Sequence, residues 1–207
     1  MTNLIDFFKS QAKFLQKDFN KHKFEAICRF DNVFINKEEP TLMNFQHVIA
    51  KESGFNNWNE LKNATGNELK VAHILYKNIG LNASGIRFNL QAMRKMNKIE
   101  KQQYRTESRR VLLDNSDFII KVSELLSKSI MPTSTIRNTH SSYKIKHIVE
   151  RSLSSFYIEG TYVSNGELII AASIAGFKFT PCSPYEGLSV YFNMQKKSLM
   201  ALPGYRP

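Results

Sequence analysis

The segment SNGELIIAASIAG, residues 164–176, decides how this chain folds. Ser164 supplies a side-chain oxygen of the kind that caps a helix N-terminus, and Gly176 suits the turn that ends a helix. Between them, residues 168–175 are apolar on every side apart from one serine. This pattern predicts a helix that is buried on all of its faces, with the other elements packed around it.

The segments on either side of this helix indicate an α+β fold that is predominantly helical. A helical pattern covers about residues 142–152. After the buried helix, residues 177–179 and 190–192 have the aromatic and β-branched composition of strands, and the turn-forming residues 181–187 lie between them. The sequence therefore predicts a small β-hairpin near the C-terminus.

Composition divides the chain into three segments. Residues 1–66 have the pattern of an N-terminal helical module, residues 67–131 form a basic helical region, and residues 139–207 form a C-terminal helix-turn-helix-hairpin module. Pro132 and a cluster of serine, threonine and asparagine make residues 131–139 the expected connection between the last two.

Apolar periodicity and capping residues predict the helices of the first two segments. The predicted helices are 3–21, 41–53 with Thr41 as N-cap, a short helix beginning at Asn57-Trp58, 67–78 with Asn67 as N-cap, 86–113 with allowance for a break, and a helix restarting at residues 114–116. Residues 25–36 fit either a short helix or an irregular connection. Trp58 is expected to pack against the 41–53 helix and serve the core.

The net charge of this 207-residue chain is +11, and the excess of basic residues begins after Gly66. Residues 1–66 carry 9 basic and 8 acidic side chains, residues 67–130 carry 12 and 6, and residues 131–207 carry 8 and 4. A field of this sign attracts nucleic acid, an acidic protein or an anionic surface. A lysine-rich soluble protein without such a partner is the alternative.

Other sequence features bear on location and chemistry. No apolar run is long enough to span a membrane, and Asp6 and Lys9 interrupt the N-terminus where a signal peptide would be apolar, so we expect a cytoplasmic protein. Cys28 and Cys182 lack the spacing of a metal site or a disulfide scaffold and are expected to be two buried thiols. No cofactor is indicated, and the sequence does not indicate an oligomeric state.

The N-terminal segment carries one resemblance to known proteins. The matching residues are Phe8–Leu15, then Phe45–Lys51, then Gly54–Leu61, which reads GFNNWNEL. They are similar to a small helical module of bacterial and mobile-element proteins that is named after a neighbouring glyoxalase-superfamily domain. No glyoxalase metal-ligand pattern is present here, so the resemblance implies the module and no enzymatic role.

The C-terminal segment resembles a small domain of uncharacterised plasmid- and phage-borne proteins. The matching residues run from Thr139 to Glu150, from Tyr162 to Ala172, from Gly176 to Lys178, and over Phe192-Asn193. The resemblance implies a mobile-element origin and no particular activity. His140 and His147 are a poor metal pair because seven residues separate them and no third ligand is suitably spaced.

The order of helices and hairpin also matches a winged helix, but the residues do not. A recognition helix needs side chains that reach base edges, whereas residues 168–175 are apolar. If this segment touches nucleic acid, the expected contacts are Lys144, Lys146 and Lys178, with Arg151.

The middle segment contains the strongest candidate for a binding surface. Arg94, Lys98, Lys101 and Arg105 are spaced 4, 3 and 4 residues apart, which places them on one face of a continuous helix, and Arg109 extends that face. Such a stripe suits the regular spacing of phosphates, and Tyr104 is positioned to stack on a base. A solvated helix face, moderated by acidic neighbours, is the alternative. The candidate nucleic-acid-binding residues are Arg87, Arg94, Lys95, Lys98, Lys101, Tyr104, Arg105, Arg109, Arg110, Lys144, Lys146 and Lys178.

The sequence has no phosphate-binding glycine loop, no nucleophile elbow and no zinc-protease motif. Three hypotheses follow. The first is a non-enzymatic plasmid or phage accessory protein that binds DNA or RNA through the basic stripe. The second is an anti-defence inhibitor, of the anti-CRISPR or anti-restriction type, that binds a host nucleoprotein complex. The third is an enzyme, for which a cleft holding His140 or His147 beside a carboxylate would be the sign.

Overall fold

The fold is predominantly helical with one small hairpin, as the sequence predicts. The computed structural model describes residues 3–34, 39–88, 90–154, 162–184 and 187–206. The elements are α1 Leu4–Asn20, α2 Phe24–Asp31, α3 Leu42–Glu52, α4 Trp58–Lys62, α5 Gly66–Lys77, α6 Leu90–Met93, α7 Lys98–Asp114, α8 Ser116–Ser129, α9 Ser142–Ser154, α10 Asn165–Ile174, β1 Phe179–Pro181, β2 Val190–Phe192 and α11 Lys196–Met200. The strands pair antiparallel, with Phe179 opposite Phe192 and Pro181 opposite Val190.

The central helix α10 is buried as expected. Residues 168–172 are wholly inaccessible to solvent, and the helix packs against α5, α8 and α9. Ser164 caps it, because its hydroxyl accepts a hydrogen bond from the Glu167 N–H at 3.2 Å while the Glu167 carboxylate accepts from the Ser164 N–H at 2.6 Å. The predicted cap and the predicted burial are both confirmed.

Several boundaries differ from the sequence prediction. Helix α5 is capped by Thr65 rather than Asn67, since the Thr65 hydroxyl and the Glu68 carboxylate satisfy each other's backbone N–H groups. Strand β1 begins at Phe179, two residues late, and residues 185 and 186 of the predicted turn lie outside the described part of the chain. Residues 25–36 hold a helix, α2, to Asp31, and residues 35 and 36 are also outside.

The predicted helix 86–113 is broken. Among the described residues from 86 to 97, the single turn α6 is the helical part, and α7 starts anew at Lys98. Asn97 and Glu100 cause this restart: the Glu100 N–H donates to the Asn97 side chain at 3.0 Å, and the Asn97 N–H donates to the Glu100 carboxylate at 2.8 Å. Such a capping box fixes a helix start and directs the preceding chain away from the helix axis.

All three predicted segments contribute to one hydrophobic core. Phe8 and Phe45 from the first, Leu112 and Ile119 from the second, and Ile169 from the third belong to the same buried cluster. The expected connection, residues 131–139, is non-helical, and the Asn193 amide ties it to the hairpin through the Thr133 carbonyl at 2.8 Å. Trp58 is half-buried at the start of α4 and packs against this core, as expected.

The Asn165-Gly166 pair has a second role beyond starting α10. The Asn165 side chain donates hydrogen bonds to the carbonyls of Ser84 (3.2 Å) and Leu188 (2.9 Å), and the Gly166 N–H donates to the Ala83 carbonyl at 3.0 Å. A Cβ at position 166 would collide with the backbone carbonyl of Asn82. Glycine therefore lets the tight turn at residues 82–85 lie directly on α10, and this turn leads the chain back to α7.

Candidate functional site

The structure has a cleft of about 630 Å³ between α2, the end of α3, the turn at residues 79–80 and α7. Its size falls within the range of about 300–1,000 Å³ that small-molecule ligand sites occupy. Six basic side chains line it: Arg29, Lys51, Lys98, Lys101, Arg105 and Arg109. Among the described lining residues Glu52 is the one carboxylate, so basic groups outnumber acidic groups and the cleft is strongly positive.

Helix α7 supplies most of this charge from one face. Lys98, Lys101, Arg105 and Arg109 follow each other at intervals of three and four residues, so at about 3.6 residues per turn they share one side of the helix. Glu100 and Glu107 fall on the opposite side. The acidic residues that moderate the charge of α7 in the sequence therefore do not face the cleft.

Five of the six basic groups have no carboxylate partner. Within the described ranges, no carboxylate oxygen lies within 4.0 Å of the charged nitrogens of Lys51, Lys98, Lys101, Arg105 or Arg109. Glu52 is already paired with Arg29, whose Nε and Nη2 donate hydrogen bonds to its carboxylate at 2.9 and 2.6 Å. Burial lowers the pKa of Arg29, but the hydrogen bonds that it donates to Glu52 and the negative charge of Glu52 raise it above the ordinary value. Of these five, Lys51, Lys98, Lys101 and Arg105 are exposed or half-buried and are thus available to an anion.

Arg109 anchors α7 to the rest of the cleft. It is only 4% exposed, and its guanidinium donates to four backbone carbonyls: Leu81 and Asn78, each at 3.1 Å, and also Glu52 and Ile79. Burial is the main cause that lowers the pKa of Arg109 to about 10; the charge of Glu52 raises this pKa, and the nearby charge of Arg105 lowers it. The sequence places Arg109 on a solvent-facing stripe, and this is wrong, because the residue is a buried crosslink at the cleft floor.

The rest of the predicted stripe is also rearranged. Arg94 and Lys95 are exposed, but they lie in the break between α6 and α7 and do not line the cleft. Lys98 and Arg105 are exposed and Lys101 is half-buried. Arg94 is exposed as expected, but it does not share the helix face of Lys98, Lys101 and Arg105, because the capping box at Asn97 starts a new helix.

Two other predicted arginines of this region have partners within the protein. Arg87 donates to the carbonyls of Ser183 (3.2 Å) and Pro184 (2.6 Å), which ties the segment before α6 to the hairpin loop. Arg110 makes ion pairs with Glu60 and Asp114, both at 2.9 Å. Both arginines therefore stabilise contacts within the folded protein.

Aromatic residues back the cleft. The guanidinium groups of Arg105 and Arg109 each lie 5.7 Å from the centre of the Phe88 ring, within cation–π range. Tyr104 contacts the same ring edge-to-face at 6.4 Å and is half-buried. Phe88, which the sequence does not single out, lines the cleft, while Tyr104 supports it from behind.

In the C-terminal segment, the predicted contacts separate into exposed and buried groups. Lys144 and Lys178 are exposed. Lys146 is 5% exposed, makes an ion pair with Glu150 at 3.1 Å, and lies over the rings of Tyr143 and Tyr162. The prediction that Lys146 contacts nucleic acid is therefore corrected: its charge is satisfied inside the protein.

Glu150 joins α9 to the start of the α10 segment. Besides Lys146, it accepts from the Val163 N–H at 3.0 Å and contacts the Nδ1 of His147 at 2.6 Å. Burial raises the pKa of Glu150, but the hydrogen bonds from Val163, Lys146 and His147 outweigh it, so the pKa is lowered overall. His147 thus stands beside a carboxylate that serves as a structural junction.

Sequence reasoning misses the part of the cleft that comes from the N-terminal segment. Arg29, Lys51 and Glu52 belong to a segment with nearly balanced charge. Arg29 and Lys51 are separated from α7 by about fifty residues or more, and no spacing rule connects them to it. Only the packing of α2 and α3 beside α7 brings these groups together.

Comparisons of the chain with protein-family models, curated proteins and solved structures found no match. Among the residues that the structure describes, no helix has the length and apolar character needed to cross a membrane. In the same part of the chain, no three histidine, cysteine, aspartate or glutamate side chains come together as a metal site.

Proposed function

We propose that this protein binds nucleic acid through the basic cleft and acts as an accessory factor by doing so. The observation that carries the proposal is the set of four cations, Lys51, Lys98, Lys101 and Arg105, that line one cleft and have no carboxylate partner among the described residues. Surface lysines and arginines that serve only solubility are usually interspersed with acids. Here the acids of α7 lie on its other side.

Nucleic acid is the polyanion that best suits this arrangement. Lys98, Lys101 and Arg105 extend along about two turns of α7 and can contact successive phosphates of one strand. Arginine also offers a planar fork that matches phosphate geometry. The origin in a plasmid or phage rests on the two sequence resemblances alone.

The test is a titration of labelled DNA and RNA at two salt concentrations. If Lys51, Lys98, Lys101 and Arg105 each neutralise one phosphate, the log–log slope of affinity against salt should be roughly −3 to −4. Raising salt from about 50 to 200 mM should then weaken binding by roughly fifty-fold or more.

Charge-reversal variants locate the site. The triple variant Lys98→Glu, Lys101→Glu, Arg105→Glu should lose at least about tenfold in affinity at low salt. A matched control, Lys13→Glu, Lys70→Glu, Lys121→Glu, makes the same change in net charge at exposed positions within α1, α5 and α8 that do not line the cleft. Equal losses in both variants, or no binding by the wild type, would refute the proposal. The anti-defence hypothesis, with an acidic protein surface in the cleft, would then take its place.

A further inference from the structure

The cleft is not lined by charge alone. Val33, Ile79, Phe88 and Met96 also line it, and Asn32 and Gln102 add amide groups. Ile79 is 57% exposed although it lies in the turn that closes the cleft, so its side chain is available to an occupant. A ligand that carried phosphates only would leave this apolar surface in contact with water.

The two kinds of surface come from different segments. The unpaired cations are on α3 and α7, whereas the apolar side chains belong to the chain after α2, to the turn at residue 79, and to the segments before α6 and α7. An occupant of the cleft therefore meets cations on some elements and apolar groups on others. This combination fits a molecule with an anionic part and a flat apolar part.

We propose that the cleft accepts an unpaired nucleotide of a single strand, with its phosphates on the cations of α7 and its base against the apolar side chains. This inference rests on the proposed nucleic-acid binding and specifies its form. In a duplex the bases are paired and stacked inside, so a duplex offers phosphates to the cleft and no base face. A single strand offers both, and base stacking contributes to the affinity of single-strand binding proteins.

The size of the cleft agrees with this assignment. A volume of about 630 Å³ is that of a pocket for a compact ligand, and its walls come from five separate segments. Gly80 lies in one wall, and a Cβ there would be 2.5 Å from the Ile86 carbonyl oxygen, so the chain is drawn in closely at this point. The cations therefore surround a recess, which admits a splayed nucleotide more readily than the side of a helix.

An abasic oligonucleotide distinguishes the contribution of the bases to affinity from that of the phosphates. We would measure binding of the full-length protein to three probes with equal numbers of phosphates on each strand: a single strand with bases, the same strand with abasic sites throughout, and a duplex. The single strand with bases should bind roughly tenfold or more tightly than its abasic counterpart, because stacking is lost. Salt should affect both single strands to the same degree, since their phosphates are the same. Both DNA and RNA strands would be used, and the proposal requires the base effect in at least one.

Variants of the apolar side chains assign the effect to the cleft. Ile79→Ala and Met96→Ala should each weaken binding of the strand with bases by about threefold or more and leave binding of the abasic strand unchanged. Ile99→Ala is the matched control for Ile79→Ala, because Ile99 is 61% exposed and does not line the cleft. It should change neither affinity.

The outcomes distinguish this inference from the proposed function. Suppose that the abasic strand and the duplex bind as tightly as the strand with bases, and that the charge-reversal variant binds none of the three probes. The cleft is then a phosphate site, so the inference is wrong while the proposed function stands. If no probe binds at low salt, the proposed function itself fails. Competition by a free nucleoside monophosphate that is as effective as the strand, at equal nucleotide concentration, would overturn the assignment to a strand.

Discussion

Replacing Arg109 by methionine should destabilise the protein by about 3 kcal/mol. Hydrogen bonds from a charged group contribute about 1.5–3 kcal/mol each, and Arg109 donates to four carbonyl oxygens. Four such bonds at the lower value amount to about 6 kcal/mol. Burial of the charge opposes this, as the lowered pKa of Arg109 shows, so the expected net loss is about half of that sum, about 3 kcal/mol. Methionine retains most of the apolar stem, so little packing is lost.

Equilibrium unfolding in urea at neutral pH measures this difference. The control is Arg105→Met, the same change one turn earlier on the same face of α7, where the side chain is exposed. Arg105 loses its exposed contact with the Phe88 ring, so this variant should change the free energy of unfolding by less than about 1 kcal/mol. If both variants lose the same amount, the four carbonyl contacts do not anchor α7, and the view of Arg109 as the crosslink of the cleft must be given up.

Two further predictions test other junctions of the fold. Because the pKa of Glu150 lies below its ordinary value of 4.5, its ionised form stabilises the folded protein above that pH, and this contribution is lost as the pH falls through the folded-state pKa. Thermal unfolding between neutral pH and about pH 3 should therefore show a smaller acid-induced fall in Tm for Glu150→Gln than for wild type, whereas the exposed Glu124→Gln should behave as wild type. Gly166→Ala should lower the free energy of unfolding in urea by about 1–3 kcal/mol, because the added methyl group would collide with the Asn82 backbone. Gly66→Ala is the control and should leave that free energy unchanged, because there is open space around Gly66. An equal loss in both variants would contradict the close packing of the 82–85 turn on α10.

The sequence predicts the elements that depend on local signals. Ser164 and Gly176 mark the limits of α10, and the apolar run between them predicts its burial, because both signals act within a few residues. Asn57 likewise marks the start of α4. The periodicity of the charges does not reveal the break before α7, although Asn97 and Glu100 have the spacing of a capping box. Attention to that pair would have removed Arg94 from the stripe.

The cleft itself is beyond local signals. A basic stripe on a helix and a basic wall of a cleft have the same sequence pattern, and what separates them is the contribution of Arg29, Lys51 and Glu52 from a distant segment. Burial of a charged residue is similarly hidden. Arg109 and Arg110 are adjacent in the sequence, yet one is 4% exposed and the other half-buried.

These two arginines show how the protein keeps the cleft positive. Arg110 lies outside the cleft and is neutralised by Glu60 and Asp114. Arg109 lies at the cleft floor, where a carboxylate partner would cancel the field that draws an anion in. It is held instead by carbonyl oxygens, which satisfy its N–H groups through their dipoles and add no net charge. Burial lowers the pKa of Arg109, and repulsion by the charge of Arg105 lowers it further. A phosphate near Arg105 would relieve that repulsion, so the same contacts that anchor α7 leave the cleft prepared for an anionic ligand.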